Sequence, residues 1–351
     1  MKENLLQLPP IKLDYLVSIT DETGILQHSK FATPNRGEGY STDDNARALI
    51  VCTKHSKLNK TLETAKLADI YLSFLYHMQM KDGRLHNFLG YDRRFLDDLG
   101  SDDSLGRTLW ACGCVINSNL DEEKKLLSKE IFDKALPHAI NSTSPRTKAF
   151  AVLGLSQYQS TYPKDQALSR NMLKLIKQLL KLYKKESSVK WPWFEAYITY
   201  CNGRLPQALF EAYKHTRNAN YLQVAMDSFN FILKTQMNNN MFTPIGNNGW
   251  YKKGGPRALY DQQPVEASCM TETALTAFRT TYNSNFRSAA KTIFEWFLGK
   301  NMKDLWVYNP NTGGCYDGIT PEGLNLNQGA EATVTYLLAR LDLETIWGSN
   351  V

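Results

Sequence analysis

Apolar residues recur at helical spacing through most of the chain, as in Leu67, Ile70, Tyr71, Phe74 and Leu75, and again in Leu173, Ile176, Leu179, Leu180 and Tyr183. Steps of three and four put each set on one stripe of a helix, with the charged residues between them on the opposite face. A second kind of segment alternates with these stretches. It is a loop rich in Gly, Pro, Asp or aromatic residues that runs into a helix of small residues and leucines. Residues 42–52, 102–115, 145–158, 205–213, 264–278 and 328–338 have this character. Longer, more charged helical stretches lie between them, at 60–80, 121–140, 163–185, 218–237 and 284–300.

With Asp43, Asp103, Thr147, Gln207, Glu266 and Glu331 as anchors, the small-residue helices recur at intervals of about 60, 44, 60, 59 and 65 residues. Each interval has the length of one helical hairpin plus its connection. The pattern predicts an all-α fold, an (α/α)6 toroid of about six helical hairpins. Helices touched by neighbours on nearly all sides need small residues and form the inner ring, while the charged ones keep a solvated outer face. The sixth outer helix is missing after Leu341, so the apolar segment 11–19 is expected to close the ring. No Pro, Gly or Ser linker divides the chain, which predicts a single domain. In such a ring the loops before the inner helices converge on one cleft.

Composition adds few constraints. Hydrophobic residues make up 42% and aromatics 11%, ample for a packed core, and 41 basic against 35 acidic residues give +6. The lysines sit mostly on outer faces such as 173–185 rather than in one block, so no nucleic-acid partner is expected. Residues 1–10 contain Leu5, Leu6 and Leu8 but no secretory pattern, and no apolar run approaches ~20 residues, so neither a leader nor a membrane span is expected. Cys52, Cys112, Cys114, Cys201, Cys269 and Cys315 follow no CxxC spacing and fall mostly in apolar helical runs, which points to reduced thiols and a cytoplasmic protein.

The densest candidate chemistry is the run Arg36-Gly37-Glu38-Gly39-Tyr40-Ser41-Thr42-Asp43-Asp44-Asn45, a Gly-rich turn that delivers two carboxylates and an amide onto the first turn of an inner helix. Capping by Thr42 or Asp43 and an Asp43–Arg47 pair would account for part of it. Asp102 and Asp103 repeat the arrangement one hairpin later, with Arg107 four residues beyond. A long polar connection containing His86, Asn87 and Phe88 is expected to wall the cleft. Trp191, Trp193 and Glu195 precede the fourth inner helix, and Trp250, Tyr260, Gln262 and Glu266 the fifth. Flat C–H faces of sugars stack on such rings, although a loop plug packed on the helices would use the same residues. Asp317, Asn327, Gln328 and Glu331, around the last inner helix, can hold hydroxyls. Gly313-Gly314 lacks the GK[ST] ending of a phosphate loop, and Asp43-Asp44-Asn45-Ala46-Arg47 ends in Arg where a DDxxD magnesium motif has Asp. Neither a cofactor nor a metal is expected.

The run from Thr33 to Ala48, the segment Thr312-Gly313-Gly314-Cys315-Tyr316-Asp317-Gly318 and Asn327-Gln328-Gly329-Ala330-Glu331 resemble the six-hairpin glycosidase-like superfamily. More closely, they are similar to bacterial helical domains found alone or fused to family-4 glycosyltransferases. The resemblance spans essentially the whole chain. It implies an (α/α)6 fold and a carbohydrate ligand, and it does not assign an acid and a base.

The leading expectation is hydrolysis of a glycosidic bond in an oligosaccharide or polysaccharide. An inverting enzyme needs a protonated carboxylic acid at the leaving oxygen and a carboxylate for water, ~6.5 to 9.5 Å apart. Asp43, Asp44, Asp102, Asp103 and Glu266 are the candidates, with Arg47 and Arg107 expected to lower their pKa values. Arg36, Tyr40, Asn45, His86, Trp191, Trp193, Glu195, Tyr260, Gln262, Asp317, Asn327, Gln328 and Glu331 are expected to bind substrate. The alternatives are a non-catalytic glycan-binding domain that assists a glycosyltransferase, and a sugar epimerase or lyase. Related toroids that epimerise sugars use His as acid and base, and of the six His here only His86 falls in an expected cleft loop.

Overall fold

The computed structural model describes residues 8–348. The chain runs through α1 (Asp14–Ser18), α2 (Thr42–Leu58), α3 (Leu62–Met78), α4 (Asp102–Ile116), α5 (Glu122–Asn141), α6 (Pro145–Thr161), α7 (Gln166–Glu186), α8 (Arg204–Thr216), α9 (Ala219–Gln236), α10 (Pro264–Thr281), α11 (Ser284–Phe294) and α12 (Ala330–Trp347). The even-numbered helices form a closed inner ring in which each packs on the next and α12 packs back on α2. The long odd-numbered helices lie outside, paired with the inner helices that precede them. This is the (α/α)6 toroid that the periodicity predicts.

Composition decides which layer a helix occupies. In α7, Leu168, Met172, Leu175, Ile176 and Leu179 form one buried stripe, and the lysines take the other side. Nearly every residue of α4 and α10 is buried, so both faces need compact side chains. Gly113 and Gly154 allow the tightest approach: a Cβ on Gly113 would lie 2.3 Å from the Gly154 carbonyl oxygen, and one on Gly154 equally close to that of Leu109. Backbone meets backbone where α4 crosses α6.

The expected sixth outer element is only partly present. Within residues 11–19 just α1, five residues long, is helical. It nonetheless covers α12, with Leu16 and Ile19 fully buried and the Tyr15 hydroxyl donating to the Gln328 carbonyl at 2.8 Å. Residues 1–7, which carry most of the segment relevant to a leader, lie outside the described residues. Among the described residues no helix is long and apolar enough to cross a membrane.

Candidate functional site

The inner helices start at one end of the ring, and their first turns enclose a cleft of two lobes with cavity volumes of about 380 and 590 Å³. Asp43, Gln263 and Glu331 line both lobes and mark their junction. Asp44, Arg47, Asn87, Phe88 and Asp317 line the smaller lobe, and Asp102, Asp103, Arg107, Tyr200 and Trp250 the larger. The cleft walls thus present six carboxylates against two arginines.

Local chemistry frees these carboxylates for the cleft. Ser41, not Thr42 or Asp43, caps α2 by accepting from Asp44 N at 3.1 Å, and Ser101 caps α4 by accepting from Ser104 N. The expected Asp43–Arg47 ion pair does not form. Arg47 instead donates to Asp44 at 2.7 Å and to Glu331 at 2.6 Å, while Arg107 places Nε 3.2 Å from Asp43 Oδ1 and Nη2 3.7 Å from Asp103. Neither does Glu331 cap its own helix, since the carboxylate bound at that end is Asp317, which accepts from Gly329 N at 2.7 Å.

Burial and charge then separate the acids. Burial raises Asp43 to about 6 despite the opposing pull of Arg107 and Arg47, with Asp103 and Asp44 adding to the rise. Both arginines do lower this group, as expected, but at this position removal from water outweighs the two cations and the net shift is upward. For Glu331 burial also acts upward, but Arg47 and Arg107 prevail and hold it below its ordinary value. Asp317 is raised by burial against the hydrogen bond from Gly329 and the nearby His28.

Several expected site residues are structural. Trp193 is fully buried and Trp191 4% exposed, their indole N–H groups donating to the carbonyls of Tyr197 and Glu195. They plug the loop, and Tyr200 and Trp250 supply the aromatic faces of the cleft. Glu266 is buried and raised by burial, accepting from Asn202 N, Asn202 Nδ2 and Gln236 Nε2, so its oxygens brace the loop before α8. Tyr40 donates to Asp21 beneath the surface, and Asn45 bridges Ile25 N and the Ser41 carbonyl. Gln262 is sealed between Trp296, Leu259 and Met302, and its neighbour Gln263 faces the cleft. Gln328 accepts from Thr312, and Asn327 from Phe31 N. Glu195 pairs with Arg146 at 2.9 Å, Tyr260 lies beside Lys303, and Arg36 is exposed on a short 3-10 turn; none of the three lines either lobe.

The polar connection after α3 does wall the cleft, through Asn87 and Phe88 but not through His86. His86 stacks on Phe95 at 4.0 Å and shares its Nδ1 with Asp97, away from the lobes. Asp97 Oδ2 also accepts from the backbone of Asn87 and Phe88 and presents both to the smaller lobe. His28, Asn247 and Tyr200 are cleft residues without a local sequence signal, because each arrives on a loop whose course is set by its partners.

No protein-family model matches the sequence, and no curated protein matches it. Solved structures do. The cellobiose 2-epimerase from Bacillus thermoamylovorans B4167 superposes with a TM-score of 0.75 at 12% identity over 95% of both chains. A D-mannose isomerase gives 0.70 at 12% over 95% of this chain and 94% of its own, and the GH76 α-mannanase of Bacteroides thetaiotaomicron 0.67 at 11% over 95% of both. The chain shares with these structures the fold of an (α/α)6 toroid.

Proposed function

We propose that the chain is a glycoside hydrolase that acts on an oligosaccharide or polysaccharide held across the two lobes. The observation that carries this reading is Asp43, raised to about 6 at the lobe junction and flanked by Arg47 and Arg107. A carboxylic acid protonated near neutral pH can give its proton to a leaving glycosidic oxygen. Glu331, kept ionised by Arg47 and half-exposed at the same junction, serves as the base that activates water. Burial favours the protonated form of Asp43 while the arginines favour the ionised form of Glu331, the pairing of acid and carboxylate that glycoside hydrolysis uses. Six unpaired, buried cysteines suit a reducing compartment such as the cytoplasm.

Sugar epimerisation or isomerisation is the second reading. It draws on the likeness in fold to the cellobiose 2-epimerase and the D-mannose isomerase and on His28 at the cleft. Proton transfer at carbon would need a base beside the sugar ring, and His28 is the one histidine lining either lobe among the described residues. Incubation with mixed oligosaccharides in deuterated water separates the readings by mass. Hydrolysis shortens the chains and leaves carbon-bound hydrogen untouched. Unchanged chain length with deuterium on carbon would replace hydrolysis by epimerisation, and Asp43→Asn should abolish the shortening.

A further inference from the structure

The two arginines that flank Asp43 bond differently. Arg47 gives its hydrogen bonds to carboxylates, Asp44 at 2.7 Å and Glu331 at 2.6 Å. Arg107 gives none to a carboxylate. Its Nε lies 3.2 Å from Asp43 Oδ1 and its Nη2 3.7 Å from Asp103, yet its one hydrogen bond among the described residues runs from Nη2 to Cys201 Sγ at 3.5 Å. Asp43 Oδ1 accepts no hydrogen bond and Arg107 Nε donates none, although both atoms are sealed from solvent. Contact distance without a bond means that the N–H does not point at the oxygen.

Arg107 is 3% exposed and cannot turn out to water, so its neighbours set its orientation. Phe150 lies against the guanidinium, 4.7 Å from ring centre to Cζ, which holds the group in place without choosing which N–H faces which acceptor. Cys201 makes that choice. Its sulfur, on the loop before α8, is itself anchored from α10: the hydrogen bond from Cys269 draws the Cys201 thiol below its ordinary value against burial, and Arg107 and Arg204 add to the pull. We propose that Cys201 is a positioning residue for the acid: it turns the Arg107 guanidinium so that the cation stands beside Asp43 without donating to it. A guanidinium hydrogen bond would strongly favour the ionised carboxyl. Denied that bond, Asp43 meets only the charges around it, which are Arg107 and Asp103 from α4, Arg47 and Asp44 from its own helix and Glu331 from α12, and burial outweighs them. The role rests on the reading of Asp43 as the proton donor, but its measurement needs no turnover.

The test is an NMR titration of protein labelled at the aspartate carboxyl carbon, with the Asp43 signal assigned by its loss in Asp43→Asn. Cys201→Ala frees Nη2 and lets the guanidinium swing toward Asp43, so the midpoint should fall from about 6 by at least about one pH unit. Cys201→Ser keeps an acceptor at that place and should restore most of the wild-type midpoint, which a thiol that only fills space would not require. Cys201→Gly suits the left-handed backbone there, φ 49°, and takes the place of the Ala variant should that one not fold. The basic limb of glycan cleavage should move to lower pH by the same amount. A midpoint that stays at about 6 without the thiol, or one that falls equally in the Ala and Ser variants, overturns the assignment. A shifted midpoint in a protein that never shortens a glycan would sink the hydrolase reading and leave this one standing. Shortening of glycans with an unmoved midpoint would do the reverse.

Discussion

The Arg47 guanidinium on α2 donates to Glu331 on α12 at 2.6 Å, joining inside the cleft two helices 284 residues apart. The same group bonds Asp44 at 2.7 Å, so one buried cation balances two carboxylates at the seam where the ring closes. Arg47→Met should leave both carboxylates uncompensated and lower stability by about 3–5 kcal/mol in denaturant titration. Arg47→Lys, which keeps the charge but not the fork, should fall between. A wild-type midpoint for the Met variant would mean that the seam is held by apolar packing alone.

Asp43 ties stability to pH. Its folded value of about 6 lies above the ordinary 3.8, so between those limits the folded chain keeps a proton that the unfolded chain has released. Its contribution is full below about pH 4 and is lost as pH rises through 6. Asp43→Asn cannot ionise, and relative to it the wild type should lose up to about 3 kcal/mol across that window, at 1.36 kcal/mol per unit. Glycan cleavage should fall through the same pH range as the acid deprotonates. Parallel stability curves for the two proteins would contradict the raised value.

The ring was legible in the sequence because helical periodicity and small-residue runs report burial directly, and burial sorts inner from outer helices. The mouth of the cleft was legible too, through Asp43, Asp103 and Glu331, since a loop that precedes an inner helix must end at that mouth. What could not be read was direction within the mouth. Asp44 and Asp43 are adjacent, yet one is locked by Ser41 and Arg47 while the other stands between arginines. Gln262 and Gln263, and His86 and Asn87, likewise point to opposite sides of their loops. Those orientations depend on contacts such as Trp296 with Gln262 and Asp97 with His86, which sequence spacing does not encode.

At the opposite mouth of the ring, Glu272 accepts from Arg204 at 2.5 Å and from Lys54 at 2.9 Å. Burial acts to raise its pKa, but the two cations bring it down to about 2. Stability from this group is present above the ordinary 4.5 and lost as pH falls through about 2. Glu272→Gln should cost about 3–5 kcal/mol at neutral pH by stranding Arg204. It should also flatten the acid limb of the stability curve, and an unchanged limb would place the acid sensitivity elsewhere.

Gly113→Ala tests the α4–α6 crossing. In an exposed helix the change would be favourable by roughly 1 kcal/mol. Here the new methyl would meet the Gly154 carbonyl at 2.3 Å, so the helices must separate. A net loss of about 1–3 kcal/mol is expected in thermal or chemical unfolding. A gain would show that the two backbones are not in contact.

Two tryptophans that look alike in the sequence should separate stability from binding. Trp193 is fully buried in its loop, and truncation to Ala should cost about 3–5 kcal/mol of stability through the cavity it leaves. Trp250 is partly buried, with one side against the core and the other lining the larger lobe 6.1 Å from Tyr200. Trp250→Ala, which removes a ring only partly packed, should cost less stability than Trp193→Ala, about 1–2 kcal/mol. It should weaken glycan binding by about 1–2 kcal/mol, roughly 5- to 30-fold, through the lost stacking surface. Should Trp193→Ala instead abolish binding in a protein that unfolds at the wild-type midpoint, the buried plug would be a recognition element and the larger lobe would have to be redrawn around it.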